Sequence, residues 1–462
     1  MDVLTQIQRL INIKKSFINV LANIGYAVST FQEIISSIEN HKQGDLDKSL
    51  MSALTAEDKA VRMDESVYDL YERLFAQNET LLSSVDTLAS KSFYGTNLVY
   101  FKSKPCNAAI NDAFNSCRSL MFAELDQATD CTTLNSTFRR CNNLVTAELP
   151  PSLDKCRDLR YTFSICTSLR KVNLPKQLPV CTSMSYLFEN CRNLDIDIEF
   201  TYLPKVVRLD NAFGGCSSLS SVTLPTEMPA LTSMRDAFRD CSSLSSVTLP
   251  AEMPALTSLA SAFRGCNSLS TPLDIDCTNV LAIAYCNIFD TCKNIPSLTL
   301  HSTANIHNFS YFIYNCTSLT SVTGLDLSNA FLSVDEVKQV AAANKITISD
   351  ANAETVYRQT SWLGCTRTNT KLTNMPLQGT LYRSGFSIAS CPLTSESLYT
   401  WFVALYDWTN NPEAKTTDDS THTLTVNATS LANMKAYTPS EGLSGEAIYE
   451  QAIDRSWTIA TA

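Results

Sequence analysis

The chain of 462 residues is poor in glycine, histidine and charge. Twelve Gly and 18% charged residues against 44% hydrophobic leave no room for long disordered linkers, and the length suits two or three domains. No apolar run reaches eighteen residues, so no membrane insertion is expected. The net charge of -10 argues against a nucleic-acid partner, which demands a basic stripe. About half of that excess lies between Gly44 and Lys91. Four scattered His and the lack of any HExxH, GxSxG, Walker or Rossmann pattern offer no metal, cofactor or catalytic site. His301 and His307 read as polar loop residues. Carboxylate pairs that cleave glycans keep no fixed spacing, so spacing is silent on them. One stretch has the outline of a signal segment, Lys14-Lys15 followed by SFINVLANIGYAVST. Its Asn19, Asn23, Gly25 and helical periodicity, with Met1 at the start, give the expectation that no export signal is present.

Cysteine, by contrast, is plentiful at seventeen residues. Its spacing exposes a repeat, spelled most plainly as SLSSVTLPTEMPALTSMRDAFRDC and SLSSVTLPAEMPALTSLASAFRGC between Ser218 and Cys266. The unit runs through the pairs Phe114/Cys117, Phe138/Cys141, Phe163/Cys166, Phe188/Cys191, Phe213/Cys216, Phe238/Cys241, Phe263/Cys266 and Phe289/Cys292. A looser copy follows at Ile313/Cys316. A period of about 25 residues is the mark of a solenoid. The expected repeat core is Phe213, Cys216, Leu219, Leu224, Phe238, Cys241, Leu244, Leu249, Phe263 and Cys266. Val222 and Leu224 alternate with polar residues as a short strand, Pro225 forces a turn, and a short helical return closes each coil. A second ladder, Cys106, Cys131, Cys156 and Cys181, continues as Val206, Leu231, Leu256 and Leu281. Cysteine exchangeable with Val and Leu marks a small buried slot, so free thiols are expected, not disulfides or zinc ligands. Asp112, Asp210 and Asp236 occupy comparable positions and read as backbone caps.

The pattern FxxCxSLxSVxLP followed by LTSM closely resembles the BspA-like leucine-rich repeats, over roughly Ile110 to Leu327. The resemblance implies an α/β repeat solenoid and a non-enzymatic adhesion or scaffold surface. A bacterial cell-surface adhesin of this class is one functional expectation.

At the N-terminus, apolar residues at three-to-four spacing, including Ile7, Phe17 and Ile24, predict an amphipathic helix ended by Gly25. Thr30 and Glu33 open a second helix carrying Phe31, Ile34 and Ile38. This unit, residues 1–44, resembles an attachment element near the start of phage tail and fibre proteins. The match rests on Lys14, Ile18, Ile24-Gly25-Tyr26, Val28, Thr30-Phe31, Glu33-Ile34 and Ile38. Over 45–92 a longer helix places Val67, Tyr71, Leu74, Asn78, Leu81, Val85 and Leu88 in a coiled-coil seam, with Asn78 setting register. The implied assembly is a homo-oligomer, expected as a trimer.

The solenoid is expected over 93–328, with Phe93, Tyr94, Tyr100 and Phe101 capping its first coil or packing on a neighbouring chain. A helical insertion and irregular repeats around Cys365 and Cys391 fill 329–392. There Trp362, Arg367, Tyr382 and Arg383 depart from the Ser-rich faces and form a possible ligand surface. An α+β cap over 393–462 reads as helix (396–408), strand (423–426), helix (445–455) and strand (457–460). It is similar to the terminal segment of repeat proteins of gut Bacteroidetes and their phages. The leading expectation is a phage head or tail fibre in the virion, bound to other virion proteins and touching a host surface glycan or protein.

Overall fold

The computed structural model describes residues 78–462 apart from 103, 107, 283–285, 304, 332, 360–368, 383–385 and 408–421. The chain divides into two compact units, Met1–Thr80 and Leu81–Ala462. In the first, residues 78–80 are helical and Asn78 is buried. The attachment residues Ile7 to Ile38 and the seam residues Val67, Tyr71 and Leu74 lie outside the described residues.

The second unit is built from short parallel strands stacked one coil upon the next. The first sheet holds β1 (Tyr100–Phe101), β2 (Phe122–Glu124), β3 (Thr146–Glu148) and β4 (Lys171–Val172). The second holds β5 (Ile198–Glu199), β6 (Ser221–Thr223) and β7 (Ser246–Thr248), and the third β8 (Leu273–Ile275), β9 (Ser297–Leu300) and β10 (Ser321–Thr323). Their registers repeat the sequence period, with Ser221 opposite Ser246 and Val222 opposite Val247. In β6 and β7 the central Val222 and Val247 point inward, because pleating alternates faces.

The return arm is not helical, contrary to expectation. It is a run of turns in which two residues per coil take positive φ, for example Ser136 and Arg140, Tyr161 and Ile165, Tyr186 and Asn190. The backbone therefore spends alternate donors in two directions. Ala237 and Cys241 bond three residues back, to Met234 and Phe238, while Asp236, Phe238 and Asp240 bond forward to Ala260, Ala262 and Arg264 of the next coil. A helix would direct every donor along its own axis and leave neighbouring coils joined on the strand side alone. Gly215 and Gly265 fill the second of these positions, where a Cβ would meet Asn190 Oδ1 at 2.6 Å and Asp240 Oδ1 at 2.5 Å.

The interior is a column of phenylalanines. Rings from Phe93 to Phe289 follow one another at centroid distances of 5.1 to 6.0 Å. Burial of each ring is worth about 1.5–3 kcal/mol before any stacking gain. Of the expected core, Phe213, Cys216, Leu219, Leu224, Phe238, Cys241, Leu244, Phe263 and Cys266 are buried, and Leu249 is only half-buried at the coil edge. In the loose copy Ile313 is buried, but Phe312 makes the ring contact, edge-on to Phe289.

The array starts earlier than expected. Leu88 bridges to Cys106 and is fully buried in the solenoid core, against which Leu81 and Val85 pack half-buried. A seam extending to Leu88 is therefore corrected: the helical residues end at 83, and the Lys104 ammonium holds the carbonyls of Leu82 and Val85. Phe93 and Phe101 are core residues of this first coil, and Tyr94 is exposed.

Beyond β10 the chain makes β11 (Leu325–Asp326), then α1 (Val334–Ala343), capped by Ser333, and α2 (Asp350–Gln359). The helices bury Phe331, Val337, Ala341, Ala353 and Val356 in a small core of their own. Residues 345–348, between the two helices, form no strand. The array then resumes, as β11 pairs in parallel with β12 (Leu377–Gln378) and Ser321 lies opposite Asn374. Cys365 lies outside the described residues, and Cys391 is buried.

The cap comprises β13 (Phe386–Ser387), α3 (Ser395–Val403), β14 (His422–Val426), α4 (Ala428–Lys435), α5 (Gly445–Asp454) and β15 (Trp457–Thr461). Parallel pairing β13–β14–β15 extends the solenoid's hydrogen bonding to the C-terminus. Helix α4, opened by Asn427, was not expected from the sequence. Trp401 is fully buried and donates to Met375 O at 2.8 Å.

Candidate binding face

Many hydroxyl side chains of the regular coils bond to the backbone of a neighbouring coil. Thr132, Thr182, Thr232 and Thr257 each donate a hydroxyl to the carbonyl one coil back, and so do Thr167, Ser217, Ser242 and Thr317 at a second position. The Ser-rich faces are thus inter-coil ties. The thiols do the same inside. Every anchor cysteine from Cys117 to Cys316 donates to the carbonyl of the preceding anchor aromatic at 2.7 to 3.1 Å, as Cys216 does to Phe188. All described cysteines are free. Burial makes Cys156 and Cys241 weaker acids, raised to about 12, desolvation being the largest cause.

What remains for a partner is the outward side of the return arm. Here Arg139 lies over the Tyr161 ring, 5.0 Å from its centroid, and Tyr161 stacks on Tyr186 at 4.6 Å and 11°. Tyr161 and Tyr186 stand one period apart at the positive-φ position. Burial, then Tyr161, Glu189 and Asp210, raise the Tyr186 phenol above its usual value, so its hydroxyl stays protonated at neutral pH. The nearby acids are occupied. Glu189 accepts from Ser164 at 2.8 Å and Asn211 at 3.1 Å. Burial works against ionisation of Asp158, yet bonds from Arg160 and Asn135 hold its carboxyl below the ordinary value.

Arginines divide along this array. From residue 201 to 320 each is ion-paired: Arg208 with Asp210, Arg235 with Asp236, Arg239 with Asp236 and Asp240, and Arg264 with Asp290. From 101 to 200 only Arg160 is paired, while Arg118, Arg139, Arg140, Arg157, Arg170 and Arg192 have no carboxylate partner among the described residues. Residues 135–176 carry eight basic and three acidic residues within a chain of net charge -10.

Of the expected ligand surface, Trp362, Arg367 and Arg383 lie outside the described residues. Tyr382 is half-buried against the core and meets Tyr406 at 4.5 Å. Asp112 and Asp236 occupy the positive-φ position and bind side chains, Asn115 and Arg235. Asp210 is one residue out of phase with them, buried between Arg208 and Ser233. None of the three serves as a backbone cap. His301 bonds Asp274 at 2.6 Å, and His307 Nδ1 lies 2.7 Å from Asn329 O. No cluster of metal-binding side chains occurs among the described residues, and none of their helices is long and apolar enough to cross a membrane. The Arg139–Tyr161–Tyr186 column was missed from sequence. Its signal is phase: two successive tyrosines 25 residues apart take a position filled in most other coils by Asp, Ser and Asn, and by Tyr311 in a later one.

Stacked parallel strands, a buried anchor ladder and a 25-residue step define a leucine-rich-repeat type of solenoid. The BspA type leucine rich repeat region model matches residues 66–195, 135–270 and 234–353, and the chain belongs to that family. Among solved structures it is similar to a leucine rich repeat protein of T. pallidum, at 24% identity over 40% of this chain and 72% of that one, TM-score 0.28. It is also similar to a leucine-rich repeat protein from Bacteroides ovatus, at 17% identity over 59% and 77%, TM-score 0.31. No curated protein matches the chain.

Proposed function

We propose that the protein is a non-enzymatic adhesion module whose return-arm face binds a surface glycan or protein. The observation that carries this reading is the contrast between coil polar groups spent on the fold and a column of Arg and Tyr side chains left outward. Repeat family membership supports it, since modules of this type present extended recognition surfaces. Binding by many weak contacts gains strength when copies are held together. The test applies labelled full-length chain to intact bacterial and animal cells and to immobilised surface polysaccharides. Saturable retention is expected, and its absence from all of them overturns the reading.

Two settings fit such a module. One is a bacterial cell surface. The other is a phage particle, favoured by the resemblance of residues 1–44 to the attachment element of fibre proteins. In that setting the N-terminal helices join a homotrimer to other virion proteins, and the solenoid reaches the host. Light scattering on the full chain and on a chain starting at Leu81, where the second compact unit begins, tests the assembly. Loss of a multimer on truncation supports the fibre, and monomers in both remove it.

A further inference from the structure

We infer that the Arg139–Tyr161–Tyr186 column is a subsite for an acidic polysaccharide, engaging carboxylate or sulfate groups along an extended chain. This deepens the adhesion reading and rests on it.

Three observations converge. Four of the six unpaired arginines between 101 and 200, Arg139, Arg140, Arg157 and Arg170, fall in the window 135–176, which has a surplus of five positive charges, eight basic less three acidic, on an otherwise acidic chain. Arg139 is pre-oriented by the ring beneath it, and its Nε is a buried donor with no acceptor. A guanidinium fixed on an aromatic face loses little freedom when an anion arrives. The acids that could compete for it, Asp158 and Glu189, already hold other partners.

Ring geometry selects the ligand class. Tyr161 carries Arg139 over its ring and stacks on Tyr186, so this central ring offers its phenolic edge beside a guanidinium, not an open face. Neutral sugars and unpaired bases both rely on open aromatic faces, which disfavours them here. An acidic glycan needs only donors at regular intervals, and the coils supply a step of about 4.8 Å.

The experiment measures binding of the full chain to polygalacturonate and dextran sulfate, with neutral dextran and duplex DNA alongside, at two salt concentrations. The variant R139Q/R140Q removes two adjacent unpaired guanidiniums, one of them in the column, while R235Q alters a paired arginine and controls for general charge. The expected result is binding to the acidic polymers that falls with salt. It weakens tenfold or more in R139Q/R140Q and stays within twofold in R235Q, with folding of both variants checked by circular dichroism. Unchanged binding in R139Q/R140Q, or equal loss in R235Q, overturns the site. Equal binding of neutral dextran overturns the charge preference, and binding of DNA in place of the glycans overturns the ligand class. If the chain adheres to cells but to none of these probes, this inference falls and the adhesion reading stands; if it adheres to nothing, both fall.

Discussion

The thiol of Cys241 donates to the carbonyl of Phe213, one coil back, at 3.0 Å. The same bond recurs at every anchor, so the cysteine is chosen for its donor as much as for its size. The carbonyl it meets is buried, and an unmet buried acceptor costs about 1–3 kcal/mol.

Replacing Cys241 by Ala should therefore lower the thermal midpoint through both a lost bond and a small void, at about 1–3 kcal/mol. Cys241→Ser keeps a donor and should lose less. Differential scanning calorimetry on the two variants checks this, and a Ser variant weaker than the Ala variant would remove the donor argument.

Thiols buried this way give the fold an alkaline limit. Thiols of the unfolded chain ionise near pH 9, whereas Cys156, Cys181 and Cys241 in the fold are held to about 12, chiefly by burial. Raised native values mean the stabilisation is complete below pH 9 and drains away as pH climbs towards 12. Thermal midpoints should be flat from pH 7 to 8.5 and decline steadily above 9. At neutral pH, iodoacetamide should modify half-buried Cys106 ahead of the anchor thiols, read by peptide mass spectrometry.

The aromatic column makes a different claim. Phe238 stacks on Phe213 at 5.3 Å and on Phe263 at 5.5 Å, so Phe238→Ala interrupts it in mid-array at about 3–5 kcal/mol. Contacts in such an array run between neighbours. Faster amide exchange should appear first in the coils carrying Phe213 and Phe263, with the cap around Trp401 little changed.

The insertion can be excised on arithmetic. Ser321 lies opposite Asn374 at a separation of 53 residues, where regular coils step by 25, for example Ser245 and Ser220, leaving a surplus of 53 less 25, or 28. Deleting residues 333–360 removes that number. Since β11 already pairs with β12, the shortened chain should keep its strand content and melt within a few degrees of the full chain. Loss of cooperative melting would show that α1 and α2 support the array.

The repeat was legible because one period governed Phe, Cys, Leu and Pro together, and stacking demands such agreement. The return arm was not. Residues such as Tyr161, Tyr186 and Arg140 adopt positive φ against their own preference, because the next coil accepts the donors that this conformation turns outward. Local propensity cannot report a bond made 24 residues away. Leu88 misled for a related reason: a heptad and a coil edge both want leucine there, and the Leu88–Cys106 bridge decides for the solenoid. The binding face was hidden because its residues are exceptions within a repeat, visible only once positions are aligned by coil.

Hydrogen bonding on both arms gives every interior coil the same two interfaces, above and below. A duplicated segment of 25 residues can therefore enter the array in frame without disturbing its neighbours, and the near-identical text from Ser218 to Cys266 has the form of such a duplication. Outward positions at Tyr161 and Arg139 carry little of this shared packing. Lineages of this protein can thus lengthen by recombination while changing the letters that face the outside, so reach and preference evolve as separate traits.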